Sequence, residues 1–134
     1  WVGTRDPSAW LAISAALAFI RELGVDNIRQ HNYALLLRAR QLLLEKLEGI
    51  PPAPEKMLGF MATLPLPTFW QQWIPELPLA DRARRLHDYL WQVHRIEVPI
   101  IPFAGQLWVR ISAQVYNHLA EYEQLALALQ RLPD

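Results

Sequence analysis

The chain contains no cysteine. That absence excludes disulfide scaffolds, cysteine-based zinc sites and thiol nucleophiles together. Lysine is nearly as scarce, Lys46 and Lys56 being the only two. The pattern puts Lys46 at the end of an exposed helix and Lys56 in a loop. Neither has the buried setting that lowers the pKa of a Schiff-base lysine. Charged residues make up only 19% of the chain and the net charge is zero, which leaves no electrostatic footprint for nucleic acid or an anionic membrane. The longest apolar run, Ala9–Ile20, is broken by Ser14 and is too short to cross a bilayer. No basic region leads into an apolar one at the start. The expectation is a soluble, cytoplasmic domain with no nucleic-acid or membrane partner.

Chemical signatures are missing as well. There is no phosphate loop, no Gly-x-Gly-x-x-Gly and no Gly-x-Ser-x-Gly elbow. His31, His87, His94 and His118 fall at no metal-binding spacing, and His87 and His94, seven apart on one helix, read as ordinary helix histidines. The residues alone do not make a complete active site.

Apolar residues are in excess. They form 52% of the 134 residues, with six tryptophans among them, at or above the top of the ordinary globular range. Length argues for one domain. Together with an opening at Trp1 rather than methionine, the excess implies a piece of a longer protein, with surface meant to be covered.

The elements follow in order. Asp6-Pro7 reads as a helix start, an N-cap acceptor with proline at the first helical position. The helix runs to about Leu23, with Gly24 as its stop. It is apolar nearly all round, as helices buried on every side are, yet a chain this size can hardly enclose it. Asp26 is read as the cap of a second helix that runs to about Glu48. Its core stripe is Ile28, Leu35, Ala39, Leu42, Leu43 and Leu47, and its charges form a solvated face. Met57–Leu64 reads as a mostly buried strand closed by Pro65 and Pro67. Thr68–Pro78, with Phe69, Trp70 and Trp73, reads as an irregular loop pinned by its indoles; a lid or subunit contact is its functional alternative.

A third helix spans Ala80–His94, with Leu86, Leu90 and Val93 inward and Arg82, Arg84 and Arg85 most simply solvating it. Ile96–Ile101 then pairs with Gln106–Ser112 across the loop Pro102–Gly105. Asn117 starts the last helix, which carries Leu119, Tyr122, Leu125, Ala126 and Leu129. The order ααβαββα implies an α+β domain with a short antiparallel sheet of about three strands packed against helices.

One stretch carries the strongest functional signal. In Gln106–Ser112, Leu107, Val109 and Ile111 share one strand face and Trp108, Arg110 and Ser112 the other. Arg110 is thus held on a strand, facing away from the core. Its planar fork suits a carboxylate through two parallel hydrogen bonds. The alternative is a solvated arginine paired across the hairpin with Glu97.

Three motifs, in this order and spacing, resemble the class V aminotransferase family of fold-type-I pyridoxal-phosphate enzymes. They are Gly3-Thr4-Arg5-Asp6-Pro7-Ser8 before an apolar helix, Arg95-Ile96-Glu97-Val98-Pro99 after a helix, and Trp108-Val109-Arg110-Ile111-Ser112 with Tyr116-Asn117. The branch looks like the isopenicillin N epimerase-like and cysteine desulfurase-like proteins. The resemblance implies the end of the large domain over 1–24 and the small C-terminal domain over 25–134. It implies that Thr4, beside Gly3, reaches the phosphate of pyridoxal 5'-phosphate in the partner subunit of a homodimer. Arg5, where the desulfurase branch carries proline, is a further candidate for that phosphate or for the substrate. Arg110 matches the arginine that binds the α-carboxylate of an amino-acid-type substrate.

The same resemblance places the Schiff-base lysine and the large domain outside this chain. The absent cysteine argues against persulfide chemistry and leaves epimerisation, transamination or elimination. The competing reading is a non-catalytic interaction domain using the apolar helix and the Pro/Trp-rich loop.

Overall fold

The computed structural model describes Gly3 and Arg5–Pro133. Helix α1 (Ser8–Leu11) and helix α2 (Ile13–Leu23) are separated only by a turn at Ala12. They are followed by α3 (Val25–Lys46), β1 (Met61–Pro65), α4 (Thr68–Gln71), α5 (Leu79–His94), β2 (Ile100–Phe103), β3 (Gln106–Ser112) and α6 (Leu119–Leu129). With α1 and α2 taken together and the single turn α4 set aside, this is the α+β order ααβαββα.

The three strands form an antiparallel sheet in the order β1-β3-β2. Ala62 pairs with Ile111 and Leu64 with Val109, so the buried residues of β1 and β3 meet on one face. Helices α3 and α5 pack against this inner face and α6 packs on α3. Thr63 pairs with Arg110 on the outer face, where Arg110 is exposed and Thr63 half-buried. Burial therefore alternates along β3 as the sequence pattern requires.

The opening helix is exposed along its whole described length, Trp10 and Leu11 at 77% and 75%. The chain does not enclose it. The helix starts at Ser8 with Pro7, not Asp6, in the N-cap position and no side-chain cap bond; Asp6, one residue earlier, accepts the Ser8 backbone N–H at 2.9 Å. Gly24, at φ +82, is at once the end of α2 and the start of α3, which bend 75° apart. A Cβ there would meet Asn27 at 2.9 Å in a backbone conformation that L side chains avoid. No single helix among the described residues is long and apolar enough to cross a membrane, although the bent pair of α1–α2 and α3 together meets length and composition.

Several expectations are corrected. Asp26 is not the cap of α3 but lies in its first turn, 3.6 Å from Arg29. The inward stripe of α3 includes Asn32, Leu36, Arg40 and Leu44, while Ile28 and Leu42 are only half-buried. Strand β1 starts at Met61, and Met57, at 73% exposure, closes a short 3-10 turn. A sheet covered on one face alternates rather than burying a continuous run. Val93 is exposed and Ala83 is the third inward residue of α5.

Strand β2 runs Ile100–Phe103 rather than from Ile96, and includes Pro102. Proline is tolerated because β2 is an edge strand. The hairpin closes through Ala104 and Gly105 alone, both at positive φ, a two-residue turn matched to strand twist. Helix α6 starts after His118, and Asn117 supports Glu121 at 2.9 Å instead of capping.

The Pro/Trp-rich stretch contains the helical turn α4, whose Trp70 is fully buried. Its indole N–H donates to the Leu129 carbonyl at 2.8 Å and its ring meets Trp73 edge-on at 5.2 Å. Trp70 pins the segment into the core through a helical turn, where an irregular loop was expected.

Candidate functional site: an exposed arginine on the outer sheet face

Arg110 sits mid-strand on the outer face of β3, exposed, its backbone N–H bonded to the Pro99 carbonyl at 3.1 Å. The extended segment 95–99 and the start of α6 form with it a cleft of about 350 Å³. Two carboxylates line this cleft, and both are engaged elsewhere. Glu97 contacts His87 Nε2 at 2.8 Å. Glu121 accepts from Asn117 and from the His118 backbone N–H at 3.1 Å. The second cation of the cleft, Arg95, lies over the Trp91 ring at 5.8 Å. Among the described residues the Arg110 guanidinium forms no ion pair. The pairing with Glu97 weighed above is not made, because α5 brings His87 to that carboxylate.

A free, strand-held guanidinium beside a concave surface is an anion site, and its fork favours a planar acid. The segment behind it is fixed by the fold. Tyr122 donates its hydroxyl to the Ser112 carbonyl at 2.7 Å, and burial raises that phenol's pKa. Asn32 donates to Gln114 Oε1 at 2.9 Å, which also accepts the Val115 N–H.

The proposed phosphate contacts are elsewhere. Gly3 and Arg5 are exposed ahead of α1 and do not line the Arg110 cleft, and Thr4 lies outside the described residues. Lys46 and Lys56 are exposed and also absent from that cleft. The donors present suit at most a phosphate end; no described residue fits a covalent seat for pyridoxal. His87 and His94 do not converge, since His94 faces the Tyr89 hydroxyl at 3.1 Å, and the described residues hold no metal-binding cluster.

His87 gives a pH-dependent prediction. The Glu97 side chain, more than Asp88, raises its pKa above the ordinary 6.5. The pair's contribution to stability is then full below pH 6.5 and is lost as pH rises through the raised value. Urea unfolding of wild type and His87→Ala is expected to differ more on the acid side, by an exposed pair's roughly 0.2–1 kcal/mol. A gap independent of pH would remove Glu97 as its cause.

Comparison with known proteins now bears on this geometry. No family model matches the chain. Isopenicillin N epimerase of Amycolatopsis lactamdurans is 33% identical over 97% of the chain, and that of Streptomyces clavuligerus 32% over 97%. "Probable L-cysteine desulfhydrase, chloroplastic" of Arabidopsis thaliana is 31% identical over 98%. The chain belongs to the class V aminotransferase-like family. It spans 29–30% of the length of these relatives.

Sequence reasoning missed Arg40, which is 5% exposed. A charged residue on a helix reads as solvated, and nothing local signals the turn that covers it.

Proposed function

We propose that this chain is the C-terminal portion of a pyridoxal-phosphate enzyme of the class V family that acts on an amino-acid-type substrate. Arg110 grips the substrate α-carboxylate through two parallel hydrogen bonds. The free guanidinium at the mouth of the cleft carries this reading, and the family membership supports it. Gly3, Thr4 and Arg5 contact the cofactor phosphate of a second subunit, and the missing large domain covers α1–α2 and supplies the Schiff-base lysine. The cofactor, when bound, is the electron sink; this chain binds and orients the acid. The reaction is epimerisation, elimination or transamination in the cytoplasm, and the relatives include an isopenicillin N epimerase and a probable L-cysteine desulfhydrase.

The test uses the full-length protein with amino-acid substrates. Arg110→Ala is expected to lower kcat/KM about 10- to 150-fold, the equivalent of roughly 1.5–3 kcal/mol for a charged hydrogen-bonded contact. Unchanged kinetics would refute the role. The rival interaction-domain reading loses half its support, because Trp70 of the Pro/Trp-rich stretch is buried in the chain's own core.

A further inference from the structure

The two acids that line the Arg110 cleft are held in different ways. Glu121 accepts from the Asn117 amide and the His118 backbone N–H at the start of α6, so it cannot leave without uncapping that helix. Glu97 has, among the described residues, the His87 imidazole as its one partner, at 2.8 Å. Glu97 also stands within reach of Arg110. The Arg110 N–H on the Pro99 carbonyl extends the β2–β3 register by one pair, so Pro99 faces Arg110. Glu97 lies two residues before Pro99, with Val98 buried between them, and so falls on the Arg110 side. Diagonal neighbours on paired segments stand about 7–8 Å apart, a gap that a glutamate and an arginine close between them. What keeps the two apart is the imidazole.

We propose that His87 is a positioning residue for this site: by holding Glu97 it leaves the Arg110 guanidinium open to a substrate carboxylate. The inference rests on the carboxylate role proposed for Arg110. Once released, Glu97 is a tethered carboxylate at high effective concentration, and it competes with the substrate for the same fork. The charged groups around the pair are few. Asp88 lies 3.4 Å from the other ring nitrogen, and Arg84, one turn earlier on α5, is paired with Asp81 at 3.3 Å. Arg95 lies over Trp91, and β2 carries no charge. The imidazolium holds Glu97 as an ion pair, whereas the neutral ring holds it only through a weaker hydrogen bond. The site therefore closes on itself as pH rises through the raised pKa of His87.

The experiment is a saturation-transfer NMR titration of the full-length protein with propionate, a carboxylate without the amino group. From about pH 6 to about pH 9, a span that brackets a raised histidine pKa, wild-type affinity is expected to fall about two- to fivefold, the worth of an exposed ion pair. His87→Ala should bind propionate weakly at both ends, and Glu97→Gln tightly at both. The double variant decides: with no carboxylate left to release, adding His87→Ala to Glu97→Gln should change nothing. A His87→Ala loss that persists in the Glu97→Gln background, as a direct field of the imidazolium or a purely structural role would produce, overturns the proposal. So does a Glu97→Gln profile that falls with pH as the wild type does. Arg110→Ala should abolish the binding in every background. Propionate affinity that survives it would sink the carboxylate role itself, whereas either earlier result leaves that role standing. Should His87→Ala fail to fold, the wild type and Glu97→Gln, altered at a side chain 68% exposed, still decide.

Discussion

Trp70→Ala is expected to destabilise the fold by about 3–5 kcal/mol, the range for deleting a large buried aromatic. Three losses combine. The side chain is fully buried among Phe69, Trp73 and Tyr89, so its removal leaves a cavity that a small domain closes poorly. The edge-on contact with Trp73 at 5.2 Å disappears. The Leu129 carbonyl, in the last turn of α6 where helix carbonyls lack internal partners, loses its donor at 2.8 Å. Trp70→Phe separates these terms, since it keeps most of the packing but not the N–H. It is expected to cost about 1–3 kcal/mol, mainly the unanswered buried carbonyl. Urea unfolding measures both, and an alanine variant within 1 kcal/mol of wild type would show that α4 is not part of the core.

The chain on its own is expected to associate with itself through α1–α2. Trp10, Leu11, Ile13, Leu17, Phe19 and Ile20 are all exposed on these helices. Each large side chain removed from water contributes about 1.5–3 kcal/mol, so even partial burial of this surface outweighs the cost of pairing. Sedimentation at rising concentration is expected to show dimers or larger species. Leu17→Glu with Phe19→Glu should return the monomer, because two carboxylates on that surface cannot be buried unpaired. A clean monomer of the wild-type chain at high concentration would count against the surface being made for contact. In the full-length protein the same pair of changes should instead loosen the contact proposed with the large domain.

Where regular period and burial coincide, the elements were legible in the residues. Leu86 and Leu90 on α5, and Tyr122, Leu125, Ala126 and Leu129 on α6, lie inward as a 3.6-residue repeat requires. The alternation in β3 by itself places Arg110 outward. The Pro/Trp-rich stretch has no period to read, so the turn that buries Trp70 could be seen only in the fold. The proposed cofactor and domain division rest on the family resemblance, carried by Gly3–Ser8 and by Arg110 with Tyr116-Asn117, because no spacing in the chain states either.

By itself the sequence determined the order of elements, the inward faces of β3 and α6 and the side on which Arg110 stands. These are local properties, set by backbone geometry and the distaste of apolar side chains for water. Tertiary structure alone decided who meets whom: His87 rather than Arg110 takes Glu97, and the Ala53–Glu55 turn closes over Arg40. Such pairings join residues far apart in the chain, and no local pattern encodes which of several equally polar partners the packing will deliver.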